Sequence, residues 1–296
     1  MNFLAKNLRG TGVAVVTPFN EDFSIDTESI IRIVDFLIEN GVDYIVVQGT
    51  TGESSTLNKS EKNLSRTAFV NANKGRVPMI LGLGSNDTLS IVNDLRSSQF
   101  SGFSAILSVT PFYNKPSQNG LYKHYSAISK ASPLPIILYN VPSRTGVNML
   151  AKTTIEIASN HSNIIGIKEA CGDLNQVKQL IEKRPKDFMI ISGDDETAVK
   201  TVLLGGDGVI SVAAGCIPKY FTEIIRLALN KNEDLSQKKL NQIQLLLKLL
   251  FAEGNPSGIK SALSSMNLCK NVLRLPLTKV GKDLDLNIKN TITSIY

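Results

Sequence analysis

Long apolar runs are missing from this sequence. Val209-Ile210-Ser211-Val212-Ala213-Ala214 and the leucine-rich stretch 245–251 are the candidates, and both fall well short of the roughly 20 residues a membrane helix needs. No bilayer span is expected. Met1-Asn2-Phe3-Leu4-Ala5-Lys6 has no apolar core followed by a small-residue cleavage site, so the expected location is cytoplasmic. Histidine is scarce: His124 and His161 are the only two, and neither belongs to a Cys/His cluster with ligand spacing, so no metal is expected. Three widely separated cysteines, Cys171, Cys216 and Cys269, suit reduced thiols better than a disulfide framework. Cys171, three residues after Lys168, is placed either near a site there or, the preferred reading, as a small buried filler. Basic runs are missing as well. The formal charge is +6, yet the lysines are scattered without aromatic interleaving, which favours a surface that attracts small anionic substrates over nucleic-acid binding.

What is present is a rhythm. At 296 residues and 42% hydrophobic the chain can build a large core. A buried strand is predicted at 12–19, then a helix capped by Asp26 or Thr27 and ended by Gly41. Strands follow at 44–48, 77–83, 104–109, 135–139, around Ile164, at 189–192 and at 209–212. Between and after them helices are predicted at 58–73, 87–99, 118–130, 151–159, 174–183, 197–204 and 219–229, with Asn58 and Glu61 spaced as a capping box. Eight strands alternating with eight helices predict an α/β fold, a parallel (β/α)8 TIM barrel over residues 1–230. A doubly wound sheet is disfavoured because no Gly-x-Gly-x-x-Gly turn follows the first strand, and no cofactor is expected. Residues 231–296 read as a C-terminal helical region, with a helix at 235–251, a break at Gly254-Asn255-Pro256 and a further helix at 258–266.

One strand contains an anomaly. Ile164-Ile165-Gly166-Ile167-Lys168-Glu169-Ala170 would be an ordinary core strand if residue 168 were apolar. Desolvation disfavours the charged form of a buried lysine, and a lysine held that way can serve as a nucleophile. The alternative is a lysine that reaches solvent or pairs with Glu169.

Barrel active sites lie where strands end, so the strand ends form one set. The second ends in Gln48-Gly49-Thr50-Thr51-Gly52-Glu53-Ser54, a tight turn suited to a carboxylate or phosphate, or simply a turn. The fourth ends in Thr110-Pro111-Phe112-Tyr113-Asn114, and the fifth in Tyr139-Asn140-Val141-Pro142-Ser143-Arg144-Thr145-Gly146. Tyr113 and Tyr139 can pack or pass protons, and Arg144 can pair at the surface or grip a carboxylate.

Together Gly-Thr-Thr-Gly-Glu-Ser, Tyr-Asn-Val-Pro-Ser-Arg-Thr-Gly and Gly-Ile-Lys-Glu-Ala, in this order, resemble the class I pyruvate-dependent aldolase family of N-acetylneuraminate lyases and dihydrodipicolinate synthases. Gly193-Asp194-Asp195 and Asn255-Pro256 followed by Lys260 add to the likeness, which spans nearly the whole chain. The resemblance implies a lyase in which Lys168 forms a Schiff base with pyruvate and Tyr139 is the central acid and base. It implies that Thr50 links Tyr139 to Tyr113 in a relay, with that tyrosine reaching in from a neighbouring copy. A homo-oligomer follows, expected as a tetramer built from two dimers. The carboxylate of pyruvate is expected on the backbone of Thr50 and Thr51, with Gly193 and Ile210 lining the pocket.

Within the family, Arg144 implies the dihydrodipicolinate synthase branch, in which an arginine holds the carboxylate of L-aspartate 4-semialdehyde. The expected reaction is its condensation with pyruvate to 4-hydroxy-tetrahydrodipicolinate, in lysine and diaminopimelate biosynthesis. The competing readings are another pyruvate-lysine aldolase acting on a sugar acid or different aldehyde, and a non-catalytic scaffold. Family members inhibited by lysine have an effector pocket whose positions match Ser54, Ser55, Leu57, Lys62, Asn86, Ser90 and Phe112. Lys62 would repel an ammonium effector and Ser90 offers it no counter-charge, so weak or absent inhibition by L-lysine is expected.

Overall fold

A computed structural model describes residues 8–295. Residues 1–7, including the 1–6 stretch read above for an export signal, and residue 296 lie outside them. Eight parallel strands close into a barrel in chain order, with the last pairing with the first. They are β1 (Gly10–Ala14), β2 (Tyr44–Val47), β3 (Met79–Gly82), β4 (Ala105–Val109), β5 (Ile136–Asn140), β6 (Ile164–Glu169), β7 (Met189–Ser192) and β8 (Gly208–Ser211). This is the TIM barrel that the alternation predicts. Each strand is covered on both faces, which is why its residues read as near-continuous apolar runs. Inward side chains such as Val46, Ile80, Leu107, Ile137 and Ile191 fill the barrel. Outward ones such as Val47, Ile106, Leu138, Ile167 and Ile190 meet the apolar stripes of the helices.

Local chemistry sets the helix starts. Asp26 accepts the Ser29 N–H at the head of Thr27–Glu39, and both arms of the Asn58/Glu61 capping box form at the head of Lys59–Asn73. Thr197 precedes Ala198–Leu204 rather than opening it, and Pro218 opens the helix Pro218–Leu229, where its missing N–H is no loss.

Two expectations are corrected. The first strand ends at Ala14, not at 19: its pairing with β2 stops near Val46, and Pro18 has no N–H to extend a ladder. Val15, Val16 and Phe19 are buried beyond the strand, and Phe19 is covered by the chain after the barrel, with the Lys260 ammonium 4.2 Å and the Arg274 guanidinium 4.4 Å from its ring centroid. The predicted 235–251 helix is two helices, Glu233–Gln242 and Gln244–Phe251, joined at Ile243. The break lets the first half lie on Pro218–Leu229 while the second packs against Ser257–Ser265 and the final helix, Lys282–Ile295. That final helix has no counterpart in the sequence reading. Among the described residues no helix is long and apolar enough to cross a membrane.

His124, in the helix Gln118–Ala131, is buried with its Nδ1 2.8 Å from the Thr88 hydroxyl and its Nε2 without a partner among the described residues. Burial pushes this imidazole down from its ordinary 6.5 to about 4. The native state therefore favours the neutral ring. Stability from this residue is present above the ordinary value and is lost as pH falls from there toward 4, because only the unfolded chain takes up the proton. Between pH 6.5 and 5 the loss should be about 1.5 kcal/mol, and His124→Gln should remove that component. Urea midpoints at both pH values check it; parallel declines in the two proteins would contradict it.

Candidate active site

At the C-terminal end of the barrel a cavity of about 360 Å³ is lined by strand ends and by residues far along the chain. Lys168 faces into it from β6, only 5% exposed. Tyr139 on β5 is its register partner, and the lysine Nζ stands 4.5 Å from the Tyr139 ring centroid. Among the described residues Lys168 has no carboxylate and no hydrogen-bond acceptor, so the ring face is its electrostatic contact. The alternative pairing with Glu169 does not occur, because successive side chains on a strand point to opposite faces. Gly193, after β7, makes room for the lysine: a Cβ there would come within 3.0 Å of Lys168 Cε and 2.7 Å of Ala170 Cβ.

Behind these two residues lies a polar lock on the outer face of the barrel. Asn140 and Glu169 follow Tyr139 and Lys168 in register, and the Asn140 amide donates to the Glu169 carboxylate at 2.9 and 3.1 Å. Gln176 and the Cys171 N–H donate to the same carboxylate at 3.0 and 2.9 Å. Burial raises the Glu169 pKa, and these hydrogen bonds oppose the shift. The lock fixes the two strands against each other where the inner face carries chemistry.

On the opposite wall, Gln48 at φ 58° swings the chain off β2 into the turn Thr50–Gly52. The turn's first N–H groups have no intrahelical acceptor, which suits an anion. Thr17 holds the turn from one side, donating to Gly52 O at 2.6 Å. The region after the barrel holds it from the other. Asn255 Nδ2 donates to Thr51 Oγ1 at 3.0 Å, and the Lys260 ammonium, 0% exposed, sits 2.5 Å from Glu53 Oε1. The latter is an ion contact without hydrogen-bond alignment; Lys260 instead donates to Val272 O at 2.8 Å. Burial lowers the Lys260 pKa and the Glu53 carboxylate opposes that shift. Arg274 completes the tie, its N–H donating to Glu53 Oε2 at 3.2 Å while its guanidinium grips Glu61 at 2.6 and 3.0 Å.

The structure brings Lys168, Tyr139, Thr50, Thr51, Arg144 and Gly193 around one cavity. Arg144 lies on the one-turn helix Pro142–Thr145, exposed and, among the described residues, without an ion-pair partner. Ile210 is buried inside the barrel below the lining. Tyr113 is not brought in: it is 88% exposed, at φ 72°, outside the cavity of its own chain. Among the described residues no hydrogen bond joins Thr50, Tyr139 and Tyr113 within the chain. Ser54, Ser55, Leu57, Lys62, Asn86, Ser90 and Phe112 also lie outside it.

Several lining residues were not assigned to the site from the sequence. Phe251 and Asn255 reach the cavity from the helical region, and Asp194 lines it beside Gly193. Cys171 lines it as well, so it is not simple filler; burial beside Glu169 pushes its thiol up to about 12, a weak nucleophile. The signal for Asn255 is the Asn255-Pro256 break itself, a polar side chain in a turn followed by a lysine that proves fully buried. A larger depression, about 830 Å³, opens at the other end of the barrel near Arg9, Asp43 and Arg76, at the strand starts, where barrel residues serve stability.

Residues 7–295 match the profile of the Dihydrodipicolinate synthetase family. The chain is 49% identical over 279 residues to 4-hydroxy-tetrahydrodipicolinate synthase of Flavobacterium psychrophilum, covering 93% of this chain and 94% of that protein. Among solved structures, dihydrodipicolinate synthase of Thermotoga maritima superposes with a TM-score of 0.94 at 38% identity, over 97% of this chain and 98% of that one. The Acinetobacter baumannii enzyme, solved with pyruvate, gives a TM-score of 0.93 at 40% identity over the same shares, 97% and 98%.

Removing one member of a buried ion pair strands the other, at about 3 to 5 kcal/mol. Lys260→Met should destabilise the fold by that amount, and adding Glu53→Gln should recover most of it. Denaturant unfolding checks this; a single variant as stable as the parent would contradict it.

Proposed function

The chain belongs to the dihydrodipicolinate synthetase family, and we propose that it condenses pyruvate with L-aspartate 4-semialdehyde to 4-hydroxy-tetrahydrodipicolinate. The observation that carries this is the Lys168 ammonium in the barrel, facing Tyr139, with Arg144 at the rim, both without an ion-pair partner among the described residues. In this reading the Lys168 ammonium first gives up a proton through Tyr139, and its free amine then adds to the ketone carbon of pyruvate while the ketone oxygen takes up a proton to give a carbinolamine. Water leaves the carbinolamine, with Tyr139 moving the protons, and an imine forms. The imine acidifies the neighbouring methyl group; loss of a proton gives an enamine, whose carbon attacks the aldehyde. The substrate's own amine then closes on the imine carbon and releases Lys168, so one water is lost overall. The imine is its own electron sink, so these steps use neither metal nor cofactor.

The pyruvate carboxylate rests on the Thr50–Thr51 turn across the cavity from Lys168, with Gly193 and Ile210 shaping the pocket. Arg144 receives the carboxylate of the aldehyde, for which its planar fork is suited. Tyr113 completes the relay through Thr50 from a neighbouring copy, which accounts for an exposed tyrosine held in a left-handed backbone conformation outside its own cavity. The working form is a homo-oligomer, a tetramer of two such dimers, in the cytoplasm, acting on small molecules rather than on nucleic acid or membrane. Inhibition by L-lysine is weak or absent, since Lys62 and Ser90 offer no site for an ammonium.

Arg144→Ala should raise KM for the aldehyde roughly 10- to 100-fold, the worth of a hydrogen bond to a charged group, while imine formation with pyruvate stays unchanged. Steady-state kinetics with each substrate varied, beside pyruvate trapping, measures both. An unchanged aldehyde KM would show that another aldehyde is the substrate.

A further inference from the structure

Asn255 lies outside the barrel in sequence, yet it is buried, 7% exposed, and lines the cavity beside Thr51, itself 2% exposed. Its Nδ2 donates to Thr51 Oγ1 at 3.0 Å, and its Oδ1 has no partner among the described residues. The opposite amide orientation would leave the two-donor NH₂ end unpartnered in the cavity wall, and buried donors without acceptors are rarer than under-satisfied carbonyls. A threonine hydroxyl carries one hydrogen. Since Thr51 Oγ1 accepts from Asn255, that hydrogen is free for an acceptor in the cavity. A second attachment fixes the geometry: Lys260, five residues after Asn255, is held against Glu53, two residues after Thr51.

We infer that Asn255 is a positioning residue, whose amide holds the Thr51 hydroxyl as a donor toward the carboxylate of the keto acid. The inference rests on the reading above that this carboxylate sits on the Thr50–Thr51 turn. The C-terminal helical region is then part of the substrate site, because it sets the polarity of the hydroxyl that meets the anion. A carboxylate at position 255 would reverse that polarity, accepting the Thr51 hydrogen and placing a like charge near the substrate.

The test is pyruvate-dependent borohydride trapping with steady-state kinetics on Asn255→Asp, Thr51→Val, and the double variant Asn255→Ala with Thr51→Val. Asn255→Asp keeps the size of the side chain and is the deciding variant. Its half-saturating pyruvate should rise roughly 10- to 100-fold, with KM for the aldehyde within about twofold of the parent. Thr51→Val should show a similar rise, and the double variant should be no worse than Thr51→Val alone, since the amide acts through that hydroxyl. Unchanged pyruvate dependence in Asn255→Asp, equal losses toward both substrates, or additive losses in the double variant would overturn the inference. A parent protein that traps no pyruvate would instead overturn the function on which it rests, so the two failures are distinguishable.

Discussion

An ammonium without a counter-ion inside a barrel is the constraint around which the rest of the site is arranged. Lys168 takes the place of an apolar residue at the mouth of the barrel and has the Tyr139 ring instead of a carboxylate. Leaving a charge unpaired in such a place is unfavourable for folding. Several features keep it there. Gly193 has no side chain where one would strike the lysine. Glu169, the nearest carboxylate in sequence, is turned to the other face of the sheet and occupied by Asn140, Gln176 and the Cys171 backbone. Had that carboxylate pointed inward, it could have paired with Lys168, and the proposed nucleophile would be tied up.

The opposite wall shows the reverse arrangement, an ammonium paired so that it does only structural service. Lys260 is as buried as Lys168, but Glu53 faces it and Val272 accepts from it. In the proposed function one lysine is kept for substrate, while the other anchors the Thr50–Gly52 turn across the cavity. Between them the C-terminal helices become a wall of the cavity, through Phe251 and Asn255, rather than an attachment to a finished barrel.

This division explains which parts were legible in sequence. The barrel was, because buried parallel strands and amphipathic helices leave periodic signals that depend only on near neighbours. Lys168 stood out as a charge placed directly after an isoleucine run, and Arg144 and the Thr50–Thr51 turn were carried by contiguous motifs. What stayed hidden depends on long-range pairing. Glu53 and Lys260 are separated by more than 200 positions, and nothing local marks either as the other's partner. Asn255 read as a helix break, since an asparagine before proline is an ordinary turn; its contact with Thr51 exists only after the chain folds back. The first strand read too long for the same reason: Phe19 is apolar because a later segment covers its ring, not because it continues the sheet.

The measurement closest to the central claim is the intact mass of the protein after treatment with pyruvate and borohydride, with Lys168→Ala treated in parallel. A single pyruvate-derived adduct on the parent and none on the variant is the predicted result, because only an imine at Lys168 can be reduced in place. A folded parent protein that acquires no adduct, or a variant that acquires the same one, would contradict the account.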